Sequence, residues 1–529
     1  MNILDHAVII AYVLAMLALG WFYRHQESRQ EYFLGGRAFG WFPLALSAMA
    51  TQLSAISFIS APAFVGVRDG GGMIWLSYEL AVPLAMALLM WAILPRLYRA
   101  GFVSIYEFID ARFGRETRFL LSLVFQTSRA FGTGVMVYAL ALILERMMNI
   151  PFWGTIALVG IVTAIYSLQG GMKAVVYSDA AQMIIIFLGI FLCTALAIAA
   201  LGGPEELFAS VPAERVVAVD FSRAGVDGDE FGFWPMLFGG IVLYASYYGC
   251  DQTQAQRLLS ARDEGVMRKV LLANGLLRFP VVLLYCLMGL ALGALALKDP
   301  QLSLGALGGV ADRLVPTFIL SYLPHGLIGL LVVAILAAAM SSLSSVINSL
   351  SAVSTEDISL VVKGIDERRY VLISRLAALF WAIVILAFSL FAGDIADTVI
   401  EAINKVGSIF YGPILATFAL ATTTRAVRGS AANIGILGGV GVNLVLWLEV
   451  PQVFWFWWNL AGFLATVGFA FVAEGLRRRA LPRLVLDGET GELEAPWRET
   501  FLLVGWFAAI LALLVAFPAL WDVIGGLIG

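Results

Sequence analysis

Long apolar segments recur along the whole chain, each of about 20 residues. An α-helix of that length crosses the hydrocarbon core of a bilayer, because each residue advances the helix by about 1.5 Å. Hydrophobic residues make up 61% of the 529-residue sequence and charged residues only 13%. A soluble domain would carry about twice that share of charge. The sequence therefore predicts an all-α polytopic membrane protein.

The apolar segments and the loop charges together predict the topology. We expect about fourteen spans, at residues 4–23, 41–66, 73–99, 117–147, 151–169, 177–202, 231–256, 268–298, 315–351, 367–392, 398–422, 425–449, 454–477 and 498–526. Lys and Arg concentrate in cytoplasmic loops. With the N-terminus outside, 23 Lys and Arg residues lie in inside loops or helix ends, Arg257 among them, and six lie outside. Both termini are therefore predicted to be outside.

Several classes of function have no support in the sequence. A P-loop is absent, so ATP-driven pumping is not indicated. The three cysteines form no CxxC pair and the three histidines are scattered, which argues against a disulfide framework or a histidine metal centre. We see no nucleophile–base pair in the spans and expect a protein that is not an enzyme.

Clustered polar residues inside a span are costly, so they are candidates for function. In "AAAMSSLSSVINSLS" (337–351), Ser341, Ser344, Ser345 and Asn348 share one helical face. Two Ser-Ser pairs one turn apart look like oxygen ligands for a hard cation. Hydroxyls that only hold helices together are the alternative.

Two further features would suit a cation site. In "LSAMATQLSAISFISAP" (46–62), small residues and Pro62 suggest a discontinuous helix whose unwound carbonyls could coordinate a cation. Close helix packing by small residues is the alternative. Asp179 follows the apolar "AVVY" and could be a cation counter-charge, or a helix-end charge favoured by the dipole.

Four further charges in predicted spans stand out: Glu79, Arg129, Asp251 and Lys405. Each could belong to a structural ion pair, or the four could line one polar cavity.

With these residues the chain resembles the sodium/solute symporter family, which includes sodium/glucose, sodium/proline, sialic acid, and monocarboxylate or vitamin symporters. The resemblance runs along about 30–425. Its motifs occur in family-like order: "EYFLGGR" (31–37), "QLSAISF" (52–58), "FVSIYEFIDARFG" (102–114), "GGMKAVVYSDAAQ" (170–182), "CDQTQAQRLLSA" (250–261), "AAAMSSLSSVINSLS" and "GSIFYGPILATFAL" (407–420).

The resemblance implies a leucine-transporter-like core, in which five helices are followed by five more in inverted topology. One helix would precede this core and three would follow it. The implied units are a leading helix and inside loop (1–40), a first repeat (41–202), an acidic outside loop (203–230), a second repeat (231–422) and three accessory helices (423–529).

The resemblance also implies sites for one or two sodium ions. For the first ion it implies backbone oxygens of Ala50, Leu53 and Ala338 with the hydroxyls of Ser341 and Ser342. A second site, present in some members, would use Asp179, Ser344 and Ser345, with Ser341 shared. The number of ions stays open.

The resemblance also implies substrate contacts on several core helices: Gln52, Ser54, Ser57, Glu79, Arg129, Asp251, Gln252 and Asn404. Glu79 resembles the sugar-binding branch, whereas "QLSAISF" and Arg129 resemble the carboxylate branch, in which an Arg can bind a carboxylate bidentately. Glu79 and Arg129 could also pair with each other.

The resemblance implies sodium-coupled symport of a small polar organic solute, a sugar or polyol or a carboxylate, by alternating access. A sodium-leak channel or a transporter-like sensor on the same fold is the alternative. We expect a multi-pass protein of the plasma (inner) membrane whose partners are the solute and the bilayer, without nucleic acid or an obligate protein partner.

Overall fold

The computed structural model describes residues 1–303, 305–362, 364–391, 399–478 and 495–528. These residues form helices and contain no β-strand. The first α-helices are α1 (Ile3–Phe22), α2 (Arg29–Leu34), α3 (Trp41–Gln52), α4 (Ala55–Gly66), α5 (Ala81–Ala92), α6 (Leu94–Ala100), α7 (Ile105–Phe113), α8 (Arg115–Met148), α9 (Phe152–Leu201), α10 (Pro204–Ser210) and α11 (Ala213–Val216). The remaining ones are α12 (Phe233–Cys250), α13 (Gln252–Leu259), α14 (Glu264–Lys298), α15 (Leu314–Tyr322), α16 (Leu327–Val361), α17 (Glu367–Phe391), α18 (Val399–Thr423), α19 (Gly429–Glu449), α20 (Phe456–Arg478) and α21 (Trp497–Ile528). Short 3₁₀ helices lie at Gly35–Arg37, Met73–Leu80, Pro300–Leu302 and Ala311–Arg313.

The prediction of an all-helical polytopic membrane protein is confirmed. Eleven helices of the described residues are long and apolar enough to cross a bilayer, or twelve if α3 and α4 form one bent span. The count of fourteen, the repeat boundaries and the sides of the termini stay predictions. Most of the predicted inside loop at 478–497, and the short connection between the spans at 367–392 and 398–422, lie outside the described residues.

One glycine explains how two predicted spans share a single helix. The 50 residues of α9 would extend about 75 Å if straight, more than twice the bilayer core. Gly171 interrupts the helix with φ 50° and ψ −147°, a conformation that side chains strongly disfavour. A Cβ on Gly171 would also lie 2.5 Å from Gln26 Oε1 and 2.6 Å from the Tyr32 carbonyl oxygen. The kink at Gly171 therefore lies between the two predicted spans, 151–169 and 177–202.

The serine-rich segment lies on a buried helix. The predicted span at 315–351 is in fact two helices, because the chain leaves the helical conformation between α15 and α16. Helix α16 packs against α1, α3, α8, α9 and α17, and every residue of its serine-rich segment, 337–351, is buried. Its hydroxyls therefore face other helices and not lipid. The role of these hydroxyls therefore depends on which groups of the neighbouring helices they contact.

Candidate functional site

The first core helix is broken where the sequence predicts a discontinuity. Helices α3 and α4 meet at an angle of 58°, and Leu53 at the junction has φ −81° and ψ 81°. The amide of Ser54, which would normally bond to the Ala50 carbonyl, donates instead to Gln52 O at 3.1 Å. The break thus frees a carbonyl oxygen in the middle of a span.

Two serine hydroxyls of α16 meet the freed carbonyls. Ser341 Oγ donates to Ala50 O at 3.0 Å and to Ala338 O at 3.2 Å. Ser342 Oγ donates to Ala338 O and to Thr51 O, both at 3.3 Å. Four of the five oxygens predicted for the first sodium ion therefore lie together, and the Thr51 carbonyl, which the sequence did not suggest, joins them.

The donor set at the break suits a sodium ion. Its atoms are neutral hydroxyl and carbonyl oxygens, which hard cations prefer, and the hydroxyl hydrogens can rotate away from a bound ion. Leu53, the fifth predicted ligand, is buried at the break. Among the described residues, no hydrogen bond ties its carbonyl oxygen to the serines. Its role as a ligand stays a prediction.

Two of the residues predicted for a second ion, Asp179 and Ser345, contact an arginine. Asp179 is fully buried, and its Oδ2 accepts from Ser47 Oγ and from Arg257 Nη2, both at 2.7 Å. Arg257 also donates from Nε to Ser47 Oγ at 2.8 Å and from Nη2 to Ser345 Oγ. A guanidinium therefore supplies the positive charge at this position.

Part of the predicted second set lies together: Ser345 Oγ is 3.4 Å from Asp179 Oδ2 and 2.7 Å from the Ser341 carbonyl oxygen. Ser344 Oγ donates back to the Ser341 carbonyl at 3.1 Å, within its own helix. Asp179 Oδ1 is the one oxygen of the cluster without a hydrogen-bond partner in the described part of the chain. Arg257, predicted at an inside loop or helix end, does lie in the last turn of α13, but its side chain is buried. Nothing in its sequence context separates it from the loop arginines that follow.

A cavity of about 210 Å³ adjoins the break. Seven of the eight predicted substrate residues line it: Gln52, Ser54, Ser57, Glu79, Arg129, Asp251 and Asn404. Thr51 and Ser342 line it too, so the cavity and the first sodium set share a wall. The eighth residue, Gln252, lies elsewhere: it accepts from the Ile105 amide and donates to Val103 O, both at 2.9 Å. Gln252 is a structural anchor for the start of α7.

Glu79 and Arg129, which suggest different classes of solute, have separate partners in the cavity. Glu79 forms a forked ion pair with Arg278, Nε to Oε2 at 3.0 Å and Nη2 to Oε1 at 3.3 Å. Tyr244 adds a hydrogen bond to Glu79 at 3.0 Å. Arg129 instead contacts Asp251. Glu79 and Arg129 therefore do not pair with each other. Arg278 is not among the residues predicted from the sequence, although an arginine between apolar runs in a span is itself a signal of function.

Comparison with known proteins identifies the family. A family model described as the sodium:solute symporter family matches residues 32–439. The chain belongs to the sodium:solute symporter family.

Two relatives that match this chain are named as transporters and not as enzymes. The sodium/iodide cotransporter of Homo sapiens is 28% identical over 429 residues, which cover 80% of this chain and 65% of that protein. The chain thus spans just under two thirds of that relative. Sodium-coupled monocarboxylate transporter 2 of Bos taurus is 28% identical over 457 residues, covering 84% of this chain and 72% of that protein. Nothing in these matches favours a channel or a sensor.

The fold of this symporter matches a solved transporter. A substrate-bound, outward-open structure of a Na⁺-coupled sialic acid symporter superimposes with a TM-score of 0.80 at 22% sequence identity. The match covers 92% of this chain and 100% of that one. The predicted leucine-transporter-like fold is therefore confirmed.

Proposed function

We propose that this chain takes up a small organic carboxylate together with sodium by alternating access, in the plasma (inner) membrane with both termini outside. The observation that carries the proposal is the oxygen cluster at the α3–α4 break: Ala50, Thr51, Ala338, Ser341 and Ser342. This cluster borders the solute-sized cavity through Thr51 and Ser342. Ion and solute would then bind on two sides of one wall.

The shared wall supplies a route for coupling. The oxygens belong to two packed elements, α3 with its break and α16. A sodium ion that bridges them favours the arrangement in which they are close, and only such differential affinity can drive a change of state. An inside-negative membrane potential adds about 2.3 kcal/mol per charge per 100 mV.

A carboxylate is the solute class best supported. Arg129 is the cavity arginine with the larger exposure, 20% of its side chain against 6% for Arg278. Glu79, which would favour a sugar, has both oxygens engaged by protein donors. The names of the two relatives above specify anions, iodide and monocarboxylate.

One sodium ion per cycle is the proposed stoichiometry. Arg257 engages Asp179 Oδ2 and Ser345 Oγ, so an ion at these atoms would meet a fixed positive charge at close range. The guanidinium keeps its proton in a protein. It therefore stays positively charged and continues to repel a sodium ion at this position. We expect sodium activation of uptake with a Hill coefficient of one.

Uptake by purified protein in liposomes tests the proposal. The panel contains acetate, lactate, pyruvate, nicotinate and glucuronate, with glucose and mannitol as neutral solutes. We expect saturable uptake of at least one carboxylate that rises with an inward sodium gradient and falls when potassium replaces sodium. Uptake of a neutral sugar alone would contradict the solute class. An uptake rate that is the same in sodium and in potassium would contradict the coupling.

A further inference from the structure

Asp251 holds Arg129 through only one of its two oxygens. Asp251 lies at the break between α12 and α13, where its Oδ1 accepts from the Thr253 amide at 2.8 Å and so caps α13. Its Oδ2 accepts from Arg129 Nε. Arg129 Nη2 contacts the same oxygen, yet within the described chain it makes no well-formed hydrogen bond. The guanidinium is therefore paired in charge but not fully satisfied.

This pair differs from the other ion pair that lines the cavity. Arg278 and Glu79 use two donors on two oxygens, and their side chains are 6% and 0% exposed. In the Arg129–Asp251 pair the exposures are 20% and 7%, and both residues line the cavity. A free carboxylate could present both oxygens to the guanidinium in parallel, which is the stronger geometry. Asp251 cannot do so while it caps α13.

We propose that Asp251 is an internal competitor for the solute: it occupies the anion-binding side of Arg129 in the empty cavity and is displaced by the solute's carboxylate. Asp251 keeps its bond to Thr253 in both states, so the exchange needs no rearrangement of α13. The inference rests on the proposed function and adds the residue that sets selectivity. A neutral analogue cannot replace Asp251, because it would leave the Arg129 guanidinium without a counter-charge in a desolvated site, whereas a carboxylate supplies a new one.

Aromatic side chains keep Arg129 in place during the exchange. The guanidinium carbon lies 4.9 Å from the ring centre of Tyr247 and 6.0 Å from that of Tyr411. Such cation–π contacts do not depend on which carboxylate is bound. The charges also balance: the two ion pairs of the cavity sum to zero, and one sodium ion with one monocarboxylate adds zero. This balance agrees with a single sodium ion per cycle.

The test is Asp251→Asn, with binding measured on the detergent-purified full chain by sodium-dependent thermal shift. Asparagine caps helices as well as aspartate does, so α13 keeps its start while the competing charge is lost. The probes are matched pairs: acetate and acetamide, lactate and lactamide, nicotinate and nicotinamide. For a carboxylate that the wild type binds, we expect Asp251→Asn to lower Kd about tenfold, since a charge-assisted competitor is removed. We expect no gain for the amide.

Two further variants make the result decisive. Glu79→Gln removes the other paired carboxylate of the cavity and should give no gain in carboxylate affinity. Arg129→Gln combined with Asp251→Asn leaves no charge unpaired and should fold, bind sodium and bind no carboxylate. If Asp251→Asn leaves carboxylate Kd unchanged or raises it, the competitor role is wrong while the proposed function stands. If the wild type itself binds no carboxylate in sodium, the proposed function fails first.

Discussion

Replacing Asp179 by Asn tests whether this carboxylate is the partner of Arg257 or a ligand awaiting a second sodium ion. The two side chains are 2.7 Å apart and only 0% and 2% exposed. Removal of one charge from a buried pair typically costs about 3–5 kcal/mol, because the remaining charge stays uncompensated. The Asn oxygen still accepts hydrogen bonds, so we expect a loss of about 3 kcal/mol in the free energy of unfolding.

A double-mutant cycle separates the pair from its surroundings. Asp179→Asn, Arg257→Gln and the double variant are unfolded by SDS titration in mixed micelles, in sodium and in potassium. If the two charges stabilise each other, the double variant should lose at least about 2 kcal/mol less than the sum of the single losses. The loss should be the same in both salts, since the partner of Asp179 is the protein itself.

The opposite result has a clear signature. Suppose Asp179→Asn unfolds like the wild type, while the wild type shows a Hill coefficient of two for sodium and the variant shows one. Asp179 would then be a sodium ligand, through the Oδ1 atom that has no hydrogen-bond partner among the described residues. The one-ion proposal and our account of Arg257 would both be wrong.

Three other substitutions, one of them with a matched control, probe the core. Ser342→Ala removes a hydroxyl of the first sodium set and should raise the sodium concentration for half-maximal uptake by about tenfold. The control is Ser344→Ala, which should leave that concentration unchanged because the Ser344 hydroxyl bonds within α16. Equal effects of the two substitutions would contradict the assignment. Gln252→Ala should cost about 2 kcal/mol of stability by unpairing two buried backbone groups, with solute selectivity unchanged. Altered selectivity would instead indicate that Gln252 contacts the solute. Gly171→Ala should lower the yield of folded protein because its Cβ would lie 2.5 Å from Gln26 Oε1, and a wild-type thermal midpoint would refute the strain argument.

The helix break and its serine partners were largely predictable. A run of small residues and hydroxyls ahead of Pro62 is unusual in an apolar span, and the motifs of the family marked its partner helix. The bonds from Ser341 and Ser342 to Ala50, Thr51 and Ala338 agree with that reading.

The partners of the charges were not predictable. Glu79 and Arg278 are 199 residues apart, and Arg129 and Asp251 are 122 apart, so no local pattern relates them. Gln252 looked equivalent to its neighbour Asp251, but adjacent residues at a helix start point in different directions. One of them faces the cavity, and the other anchors α7.

The sequence by itself determined that this protein lies in a membrane, that it is helical, and which family it belongs to. The length of an apolar segment and the presence of a motif depend only on residues close together in the chain. The tertiary structure decided which charges neutralise each other. Arg257 is the clearest case: in the sequence it resembles a loop arginine, and in the fold its guanidinium lies between Asp179 and Ser345. A buried charge must find its counter-charge in space, and only the packing of distant helices determines which one it meets.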